Sequence, residues 1–326
     1  MDRTQRLRVL QGLALGDALG AGTEFRKPDE IAASCGKVTG FVPGGVMGFA
    51  PGEFTDDTQT TLCVLRAYRA GAETRLLLPE VASELQRWVH SGPRDVGMLT
   101  CRAVRGFRDG GLAAGLQAWR DSGYASAGNG GLMRAAAPIV AGVAQRDLDQ
   151  HAILLGALTH ADPRSLVACL VFSRALTALA AGAPPQEAWN AAAAHADDHP
   201  IAEVVRAAFG AKWGAEVRSH VPTAHALVCE RVALGLGGDA GSQSGYVLDT
   251  LQAAVCATLG HDFTAALFTI VARGNDSDTA GAVAGALLAA EGCDLPPGLL
   301  QQVHSRHRWE GWDPSWDYSA LEHFVD

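Results

Sequence analysis

Apolar residues recur at helical spacing along almost the whole of this 326-residue chain. After Asp57, for example, Leu62, Leu65 and Tyr68 follow one another at intervals of three residues, and Gly71 closes the pattern. Such spacing places apolar side chains on one face of a helix, and glycine is common just past a helix end. Because strand patterns are weak elsewhere, the sequence predicts an all-α fold.

The same spacing assigns most of the remaining chain to further helices. Several of these segments are rich in alanine and glycine, as over 280–290, and such small residues let helices approach one another closely. A glycine-rich stretch over 40–53 predicts a loop, and 37–41 predicts a short extended piece. No internal repeat or break in composition divides the chain, so a single domain over residues 1–326 is expected. Besides a first segment near 7–14, the predicted helices lie at about 78–90, 95–107, 111–120, 131–143, 147–159, 163–181, 185–195, 200–211, 222–235, 246–259, 262–271 and 278–291.

The composition limits the classes of partner. Hydrophobic residues make up 48% of the chain and charged residues 19%, which is a globular balance rather than a disordered one. The net charge is −9 and no run of basic residues offsets it, so binding to a nucleic-acid backbone is not expected. The N-terminus lacks a continuous apolar stretch, so neither a signal peptide nor a membrane span is predicted. Seven cysteines stand singly without a CxxC pair, which indicates reduced core thiols. A cytoplasmic monomer is the resulting expectation.

Acidic and hydroxyl residues cluster where two of the predicted helices begin. Such residues are ordinary caps, because their oxygens accept hydrogen bonds from the unpaired amides of a first turn. A cap needs one acceptor, however, whereas each cluster offers at least three oxygen-bearing groups. If the two helix ends meet, their carboxylates and hydroxyls would form a site for hard divalent cations. The two interpretations, caps or a cation site, concern Thr55, Asp56 and Asp57 in the first cluster and Asp276, Asp278 and Thr279 in the second.

Six short motifs follow one another along the chain. They are GDALG at 16–20 followed by Glu24, FTDDTQ at 54–59, SGPRDVG at 91–97, GNGGLMR at 128–134, TH at 159–160 and GNDSDT at 274–279. Each is weak alone, but their joint order over about 280 residues is specific. This order resembles the ADP-ribosylglycohydrolase family, which includes the dinitrogenase-reductase-activating glycohydrolases and the ADP-ribosyl-acceptor hydrolases.

The resemblance implies a compact, single-domain orthogonal helical bundle with two divalent cations, Mg²⁺ or Mn²⁺, at the base of a cleft. The cations would hold the distal ribose of ADP-ribose through its 2″ and 3″ hydroxyls and polarise a water. Glu24 matches the glutamate of the family's flexible flap. Either Glu24 or one of the cation-bound aspartates, such as Asp56 or Asp278, would act as general base or acid at C1″. Carried over residue by residue, the cation ligands would be Thr55, Asp56, Asp57, Asp276, Asp278 and Thr279.

The resemblance also assigns substrate contacts. The glycine-rich motif resembles the family's ADP-ribose loop, where backbone amides approach a diphosphate and a helix starting near Leu132 would point its N-terminus at the anion. His160 is either a structural histidine at a helix end or a ligand contact. Asp95 is either the N-cap of the helix that begins there or a carboxylate partner for the guanidinium of ADP-ribosylated arginine. The predicted contacts are Asp95, Gly128, Asn129, Gly130, Gly131, Met133 and His160.

The function implied by the resemblance is a metal-dependent hydrolase that cleaves the glycosidic bond between ADP-ribose and an acceptor. The expected substrate is a protein ADP-ribosylated on arginine. Three alternatives remain open. They are a linkage to serine, nucleic acid or a small molecule, a non-catalytic ADP-ribose-binding protein, and phosphohydrolase chemistry on another nucleotide.

The C-terminal residues 296–326 depart from the family pattern. Three placements are open for this acidic, aromatic tail: over the domain, at the cleft mouth or against a partner. Its aromatic residues are Trp309, Trp312, Trp316 and Tyr318. Two histidine pairs have spacings suited to a soft metal but no cysteine or carboxylate constellation nearby. Both pairs, His195 with His199 and His304 with His307, are predicted to lie on the surface.

Overall fold

The computed structural model describes residues 1–71, 74–194, 201–308 and 318–325. Within these ranges the chain forms sixteen α-helices, two 3₁₀ helices and no strand, so the predicted all-α class is confirmed. The helices are α1 (Arg3–Gly20), α2 (Pro28–Cys35), α3 (Asp56–Arg69), α4 (Thr74–His90), α5 (Met98–Gly110), α6 (Ala114–Asp121), α7 (Ala137–Val140), α8 (Gln145–Ala157), α9 (Pro163–Ala180), α10 (Pro185–Ala194), α11 (Ile201–Phe209), α12 (Ala211–Leu236), α13 (Val247–Ala257), α14 (Phe263–Val271), α15 (Ser277–Glu291) and α16 (Pro297–Leu300). The 3₁₀ helices are Gly111–Ala113 and Tyr318–Phe324.

A hydrophobic core draws residues from both ends of the chain, from Val9 in α1 to Val325. Helix α15 is buried from Ser277 to Ala289. Helix α9 alone among the described helices is long and apolar enough to cross a membrane, and 72% of it is buried inside the protein. Burial of this kind is what the core helix of a folded protein shows, and it accounts for the apolar composition of α9.

Helices α1 and α15 pack backbone to backbone and run in opposite directions. Glycines at every fourth position make this possible, because a Cβ at any of them would overlap the backbone of the other helix. The facing pairs are Gly12 with Gly285, Gly16 with Gly281 and Gly20 with Ser277. This packing brings the end of α1 against the beginning of α15, where the second acidic cluster lies.

The helix predicted over 131–143 is wrong. Residues 130–136 form consecutive turns, and the helical part is limited to α7. Pro138 lies in the first turn of α7, where its missing amide hydrogen costs nothing, whereas a helix from 131 would place it in the interior. Residues 130–140 are nevertheless buried, and apolar residues in a buried turn imitate a helical pattern.

Other differences concern the ends and number of elements. Helix α12 begins at Ala211 and continues through Pro222, where the sequence analysis started its helix. Helices α2 and α16 were not predicted, and no strand forms at 37–41, all of which the structure describes. The remaining predicted helices are present, with their ends shifted by a few residues, and 40–53 is a loop.

The described part of the C-terminal tail packs over the domain. Tyr318 N donates a hydrogen bond to Val303 O at 2.9 Å, and Leu321 and Phe324 are buried. His304 and His307 are partly exposed, and Ser91 Oγ lies 2.8 Å from His307 Nε2. The predicted surface position therefore holds only in part for this pair. Trp309, Trp312, Trp316, His195 and His199 lie outside the described residues.

All seven cysteines lie at described positions and are free. Cys63, Cys169 and Cys293 are buried, as a core thiol should be, whereas Cys35 is exposed. The predicted core position therefore holds for Cys63, Cys169 and Cys293 but not for Cys35.

Candidate active site

The two acidic clusters meet where α1, α3 and α15 converge. Asp56 and Asp57 lie in the first turn of α3, and Asp278 lies in the first turn of α15. Thr55 Oγ1 is 3.2 Å from Asp278 Oδ2, and Thr279 Oγ1 is 3.4 Å from Asp57 Oδ2. Helix ends that are remote in the sequence therefore face one another at hydrogen-bond range.

Asp17, near the end of α1, holds the first turn of α3 in place. Its Oδ1 accepts a hydrogen bond from Thr55 N at 2.9 Å, and its Oδ2 accepts bonds from Thr58 N at 2.9 Å and Thr58 Oγ1 at 2.5 Å. The carboxylate satisfies amides that a helix start leaves unpaired, and the helix dipole favours its charge. The sequence pattern predicts no role for Asp17 beyond its place in the motif at 16–20. The available signal is a single carboxylate in the apolar second half of α1.

Capping accounts for little of the arrangement of the two clusters. Thr55 is the N-cap of α3, but its Oγ1 accepts from Asp57 N at 3.5 Å, which is a long hydrogen bond. Asp276 occupies the N-cap position of α15, and its side chain makes no capping bond. Instead, Asp276 Oδ2 accepts a hydrogen bond from Asn129 Nδ2 at 2.7 Å.

Three buried carboxylate oxygens of this region have no hydrogen-bond partner in the described part of the chain. They are Glu24 Oε2, Asp57 Oδ1 and Asp278 Oδ1. A buried acceptor left unpaired costs about 1–3 kcal/mol, so three neighbouring ones call for a positive partner. Carboxylate oxygens of Asp17, Asp57 and Asp278 also lie within 4.8 Å of one another. This donor set fits hard divalent cations such as Mg²⁺ and Mn²⁺, which take oxygen ligands.

Burial and mutual repulsion raise the pKa values of the carboxyl groups at the base of the cleft. The pKa values of Asp56, Asp57 and Asp278 lie well above the ordinary range, first because the groups are buried and then because neighbouring carboxylates repel a further negative charge. Bound divalent cations would offset both effects, since a cation is the largest charge in such a site and favours the ionised form of its ligands.

Glu24 lies above this base, in the turn that follows α1. The residue is 4% exposed, and oxygens of Glu24, Asp95 and Asp278 lie within 4.8 Å of one another. Burial, followed by the charges of Asp95 and Asp56, raises the pKa of Glu24 to about 10. In the cation-free protein this carboxyl group therefore holds its proton at neutral pH.

Asp95 is not the helix cap that the sequence allows. Helix α5 begins at Met98 with Gly97 at its N-cap position, and Gly97 N donates to Asp56 Oδ2 at 3.4 Å. Asp95 is half-buried and lines the cleft. Burial and the charge of Asp276 raise its pKa. The cap interpretation is wrong because the helix starts three residues later, and the carboxylate is presented to the cleft.

The cleft lies above the carboxylates of Asp17, Asp56, Asp57, Asp276 and Asp278, which are together called the acidic base. It has a volume of about 570 Å³. Of the residues that the sequence assigns to the site, all except Thr55, Asp57 and Gly131 line this cleft. Thr55 and Asp57 are fully buried beneath its surface. Gly131, predicted to contact substrate, faces the core instead, where an added Cβ would meet the His160 Cβ at 3.3 Å and Cys169 Sγ at 3.6 Å.

Asn129 ties the glycine-rich loop to the second acidic cluster. Its Nδ2 donates to Asp276 Oδ2 at 2.7 Å and to Thr250 Oγ1 at 2.8 Å. A partner of this kind fixes the orientation of a predicted cation ligand. The helix expected to start near Leu132 is absent, since α7 begins at Ala137. The loop therefore offers a glycine-lined turn to the cleft rather than a helix N-terminus.

His160 presents one ring nitrogen to the same side of the cleft. Arg134 donates hydrogen bonds to Gly130 O, at 2.5 Å, and to Thr159 Oγ1, and this hydroxyl lies 2.8 Å from His160 Nδ1. Because Thr159 Oγ1 accepts from Arg134, its hydrogen is available to Nδ1, which places the imidazole proton on Nε2. Burial, followed by the charge of Arg134, lowers the pKa of His160 to about 3, so the ring is neutral. His160 thus offers an Nε2–H donor beside Gly130.

A further wall of the cleft comes from the loop before α13. The sequence did not predict that this loop belongs to the site. Residues 243–245 line the cleft. Asp249 holds this loop, because its carboxylate accepts hydrogen bonds from Ser244 Oγ at 2.7 Å and from Arg231 Nη1 at 3.0 Å. Asn129 N also donates to the carbonyl oxygen of residue 245 at 3.2 Å. The sequence offered a weak signal for this wall, a run of small polar residues ahead of a helix.

Comparison with known proteins gives a consistent result. The family model described as ADP-ribosylglycohydrolase matches residues 2–318. The ADP-ribosyl-[dinitrogen reductase] glycohydrolase of Rhodospirillum rubrum is 30% identical over 304 residues, which cover 91% of this chain and 89% of that protein. ADP-ribosylarginine hydrolase Tri1 of Serratia proteamaculans (strain 568) is 28% identical over 319 residues, covering 92% and 75%. A solved structure titled ADP-ribosylglycohydrolase-related protein complex superposes with a TM-score of 0.70 at 26% identity, covering 99% of this chain and 96% of that one.

Proposed function

The chain belongs to the ADP-ribosylglycohydrolase family, and on that premise we propose that it is a cation-dependent hydrolase that releases ADP-ribose from arginine on an ADP-ribosylated protein. The observation that carries the proposal is the group of buried carboxylates at the base of the cleft and in Glu24 above it, three of whose oxygens have no partner among the described residues. Relatives named for glycohydrolase action on dinitrogen reductase and on ADP-ribosylarginine support the class of substrate.

The acidic base would hold two divalent cations, Mg²⁺ or Mn²⁺. When bound, the cations would neutralise the carboxylates and act as Lewis acids toward substrate oxygens. Asn129 would keep Asp276 in its liganding orientation, and Asp17 would keep the first turn of α3 in place. The residues proposed as ligands are Thr55, Asp56, Asp57, Asp276, Asp278 and Thr279.

Glu24 would move the proton that the reaction requires. Water adds to C1″ of the distal ribose, the bond from C1″ to the guanidine nitrogen breaks, and the products are ADP-ribose and arginine. The attacking water must lose a proton and the leaving nitrogen must gain one. Glu24, whose unpaired Oε2 lies over the acidic base, would pass a proton between them.

The glycine-rich loop and His160 would position the ADP-ribose. Gly128 and Gly130 line the cleft without side chains and so allow a diphosphate to approach the backbone. The Nε2–H of neutral His160 can donate a hydrogen bond to a phosphate or ribose oxygen without adding charge. Asp95 would receive the guanidinium of the acceptor, because a carboxylate matches its forked donors.

A hydrolysis assay tests the proposed function. The purified protein would be incubated with arginine-, serine- and nucleic-acid-linked ADP-ribose in the presence of Mg²⁺, Mn²⁺ or EDTA, and free ADP-ribose would be measured. We expect release from the arginine linkage with either cation and none with EDTA. Preferred release from serine or nucleic acid would contradict the acceptor assignment, and full activity in EDTA would contradict the cation requirement.

A further inference from the structure

Phe25, the residue directly after Glu24, is held in an unfavourable backbone conformation. Its φ is 58°, in the left-handed region that bulky residues rarely adopt. Phe25 N donates a hydrogen bond to Asn275 O at 2.7 Å, and Asn275 N donates to Arg26 O at 2.9 Å. Asn275, the neighbour of Asp276, also has a left-handed φ of 54°. Strain of this kind persists where the surrounding structure imposes it, and it concentrates at functional sites.

The strained residue lies at the cleft. Phe25 is 58% exposed and lines the cleft beside Glu24. Among the described large apolar residues that are exposed, Met98 is the other one that lines the cleft. Burying a phenyl ring is favourable, so an exposed phenylalanine at the cleft, on a segment held by two backbone hydrogen bonds to Asn275, points to a ligand that covers the ring.

The acceptor side of the substrate is the part that this ring can reach. Glu24 transfers the proton at the scissile bond, so the acceptor must lie close to its neighbours. One neighbour is Phe25 along the chain, and another is Asp95, whose carboxylate oxygen lies within 4.8 Å of that of Glu24. An aromatic ring and a carboxylate thus flank the position of the leaving group.

A guanidinium matches this pair of groups better than a hydroxyl acceptor does. It is planar and weakly hydrated, stacks on aromatic faces, and donates a fork of hydrogen bonds to a carboxylate. A serine oxygen has neither the charge nor the flat face. We propose that Phe25 stacks on the guanidinium while Asp95 receives its hydrogen bonds, so that Phe25 selects arginine-linked substrates over hydroxyl-linked ones. This inference rests on the proposed function.

Substitution of Phe25 by Leu tests the stacking contact, because leucine keeps apolar bulk and removes the ring. We expect kcat/KM on an ADP-ribosylarginine peptide to fall about 3- to 30-fold, the range of a cation–π contact. The Kd of free ADP-ribose should stay within about twofold, because the contact lies on the acceptor side. Inhibition by methylguanidinium should weaken in parallel with kcat/KM. Phe25→Tyr should restore most of the loss, since the ring returns.

Leu234→Ala is the control, because it changes an exposed apolar side chain that lies outside the cleft. It should leave kcat/KM and methylguanidinium inhibition unchanged. An equal loss of ADP-ribose affinity in Phe25→Leu would place the ring on the nucleotide and overturn the proposal, as would wild-type kcat/KM in this variant. If the wild-type protein released no ADP-ribose from the arginine peptide, the proposed function would fail, and the stacking of Phe25 on the guanidinium would fail with it. If the wild-type protein were active but Phe25→Leu had no effect, only the stacking proposal would be overturned.

Discussion

Asp278 links the second acidic cluster to the first. Its Oδ2 lies 3.2 Å from Thr55 Oγ1, and its Oδ1 has no partner among the described residues. Asp278→Asn should weaken Mn²⁺ binding by about tenfold or more and abolish most turnover, because a charged ligand becomes a neutral amide. The cation-free variant should also melt higher than the wild type, since one repelling buried carboxylate is gone. Calorimetric titration with Mn²⁺ and thermal melts in EDTA measure the two effects.

The control for this variant is Asp294→Asn, the same chemical change at an exposed aspartate outside the cleft. It should alter neither Mn²⁺ affinity nor the melting temperature. Unchanged Mn²⁺ affinity in Asp278→Asn would show that the acidic base does not hold the cation.

Glu24 should separate binding from chemistry. Glu24→Gln keeps the shape of the side chain but removes the group that gains and loses a proton, so cation and ADP-ribose affinity should remain while kcat falls about 10²- to 10⁴-fold. Isothermal titration gives the affinities, and release of ADP-ribose from the arginine-linked peptide gives kcat. Glu187→Gln, at an exposed position, is the matched control. Wild-type kcat in the Glu24 variant would remove this carboxyl group from the mechanism.

Some of these residues were predictable and others were not, for a physical reason. Clustered carboxylates at two helix starts are rare enough to be noticed in the sequence, so the acidic base could be predicted as a candidate. The role of Asp17 depends on the amides of Thr55 and Thr58, which only the fold brings to it. The orientation of Phe25 likewise depends on a backbone pair with Asn275. Local patterns carry no information about such partners.

At the scale of the elements, contact between α1 and α15 positions the whole site. Gly16→Ala would place a Cβ on the carbonyl oxygen of Gly281, so the helices would have to separate. We expect a loss of stability of about 1–3 kcal/mol, as for overpacking in a core, and weaker Mn²⁺ binding because Asp17 and Asp278 move apart. Chemical denaturation and calorimetric titration measure the two. Gly298→Ala is the control, because nothing lies within 4 Å of its Cβ position and its φ is ordinary. Full stability of Gly16→Ala would contradict the close packing.

Helix predictions succeeded where the pattern of buried side chains and the backbone conformation correspond to the same element. The glycines of α1 and α15 and the helical spacing around them are visible in the sequence, and both helices form. Over 131–143 the apolar spacing reflects buried side chains rather than a helix. The backbone forms turns over 130–136, and the helix begins only at Ala137, with Pro138 in its first turn. At α12 the apolar spacing predicted a helix start near 222, yet the helix begins at Ala211 and runs through Pro222. Periodicity detects which side chains are buried, and helix ends depend on tertiary contacts that it does not contain.

At the scale of the whole molecule, folding gathers negative charge at the junction of helices from both ends of the chain. The net charge is −9, and Asp17, Asp57 and Asp278 are each at most 1% exposed. Ionised carboxylates buried side by side are unfavourable unless they are compensated. The folded protein must therefore take up protons or cations here, and a bound cation would tie α1, α3 and α15 together.

The stability of the cation-free protein should consequently depend on pH, and Mg²⁺ should remove that dependence. The folded-state pKa of Asp17 is raised from 3.8 to about 6 and that of Glu24 from 4.5 to about 10. Because these pKa values exceed those of the unfolded chain, the folded state binds more protons between the two values, and this stabilisation is lost from pH 3.8 to about 6 for Asp17 and from pH 4.5 to about 10 for Glu24.

In EDTA the melting temperature should therefore fall from pH 5.5 to pH 8.5, whereas saturating Mg²⁺ should raise it most at the alkaline end, where cations replace the missing protons. Excess ligand at about 100 times its Kd stabilises by about 2.7 kcal/mol, which is a measurable shift. Thermal melts across this pH series, with and without Mg²⁺, supply the measurement, and Asp278→Asn should show a smaller gain from Mg²⁺ at every pH. A melting temperature that rises with pH in EDTA would show that the acidic base is not the group of residues that limits the stability of the fold.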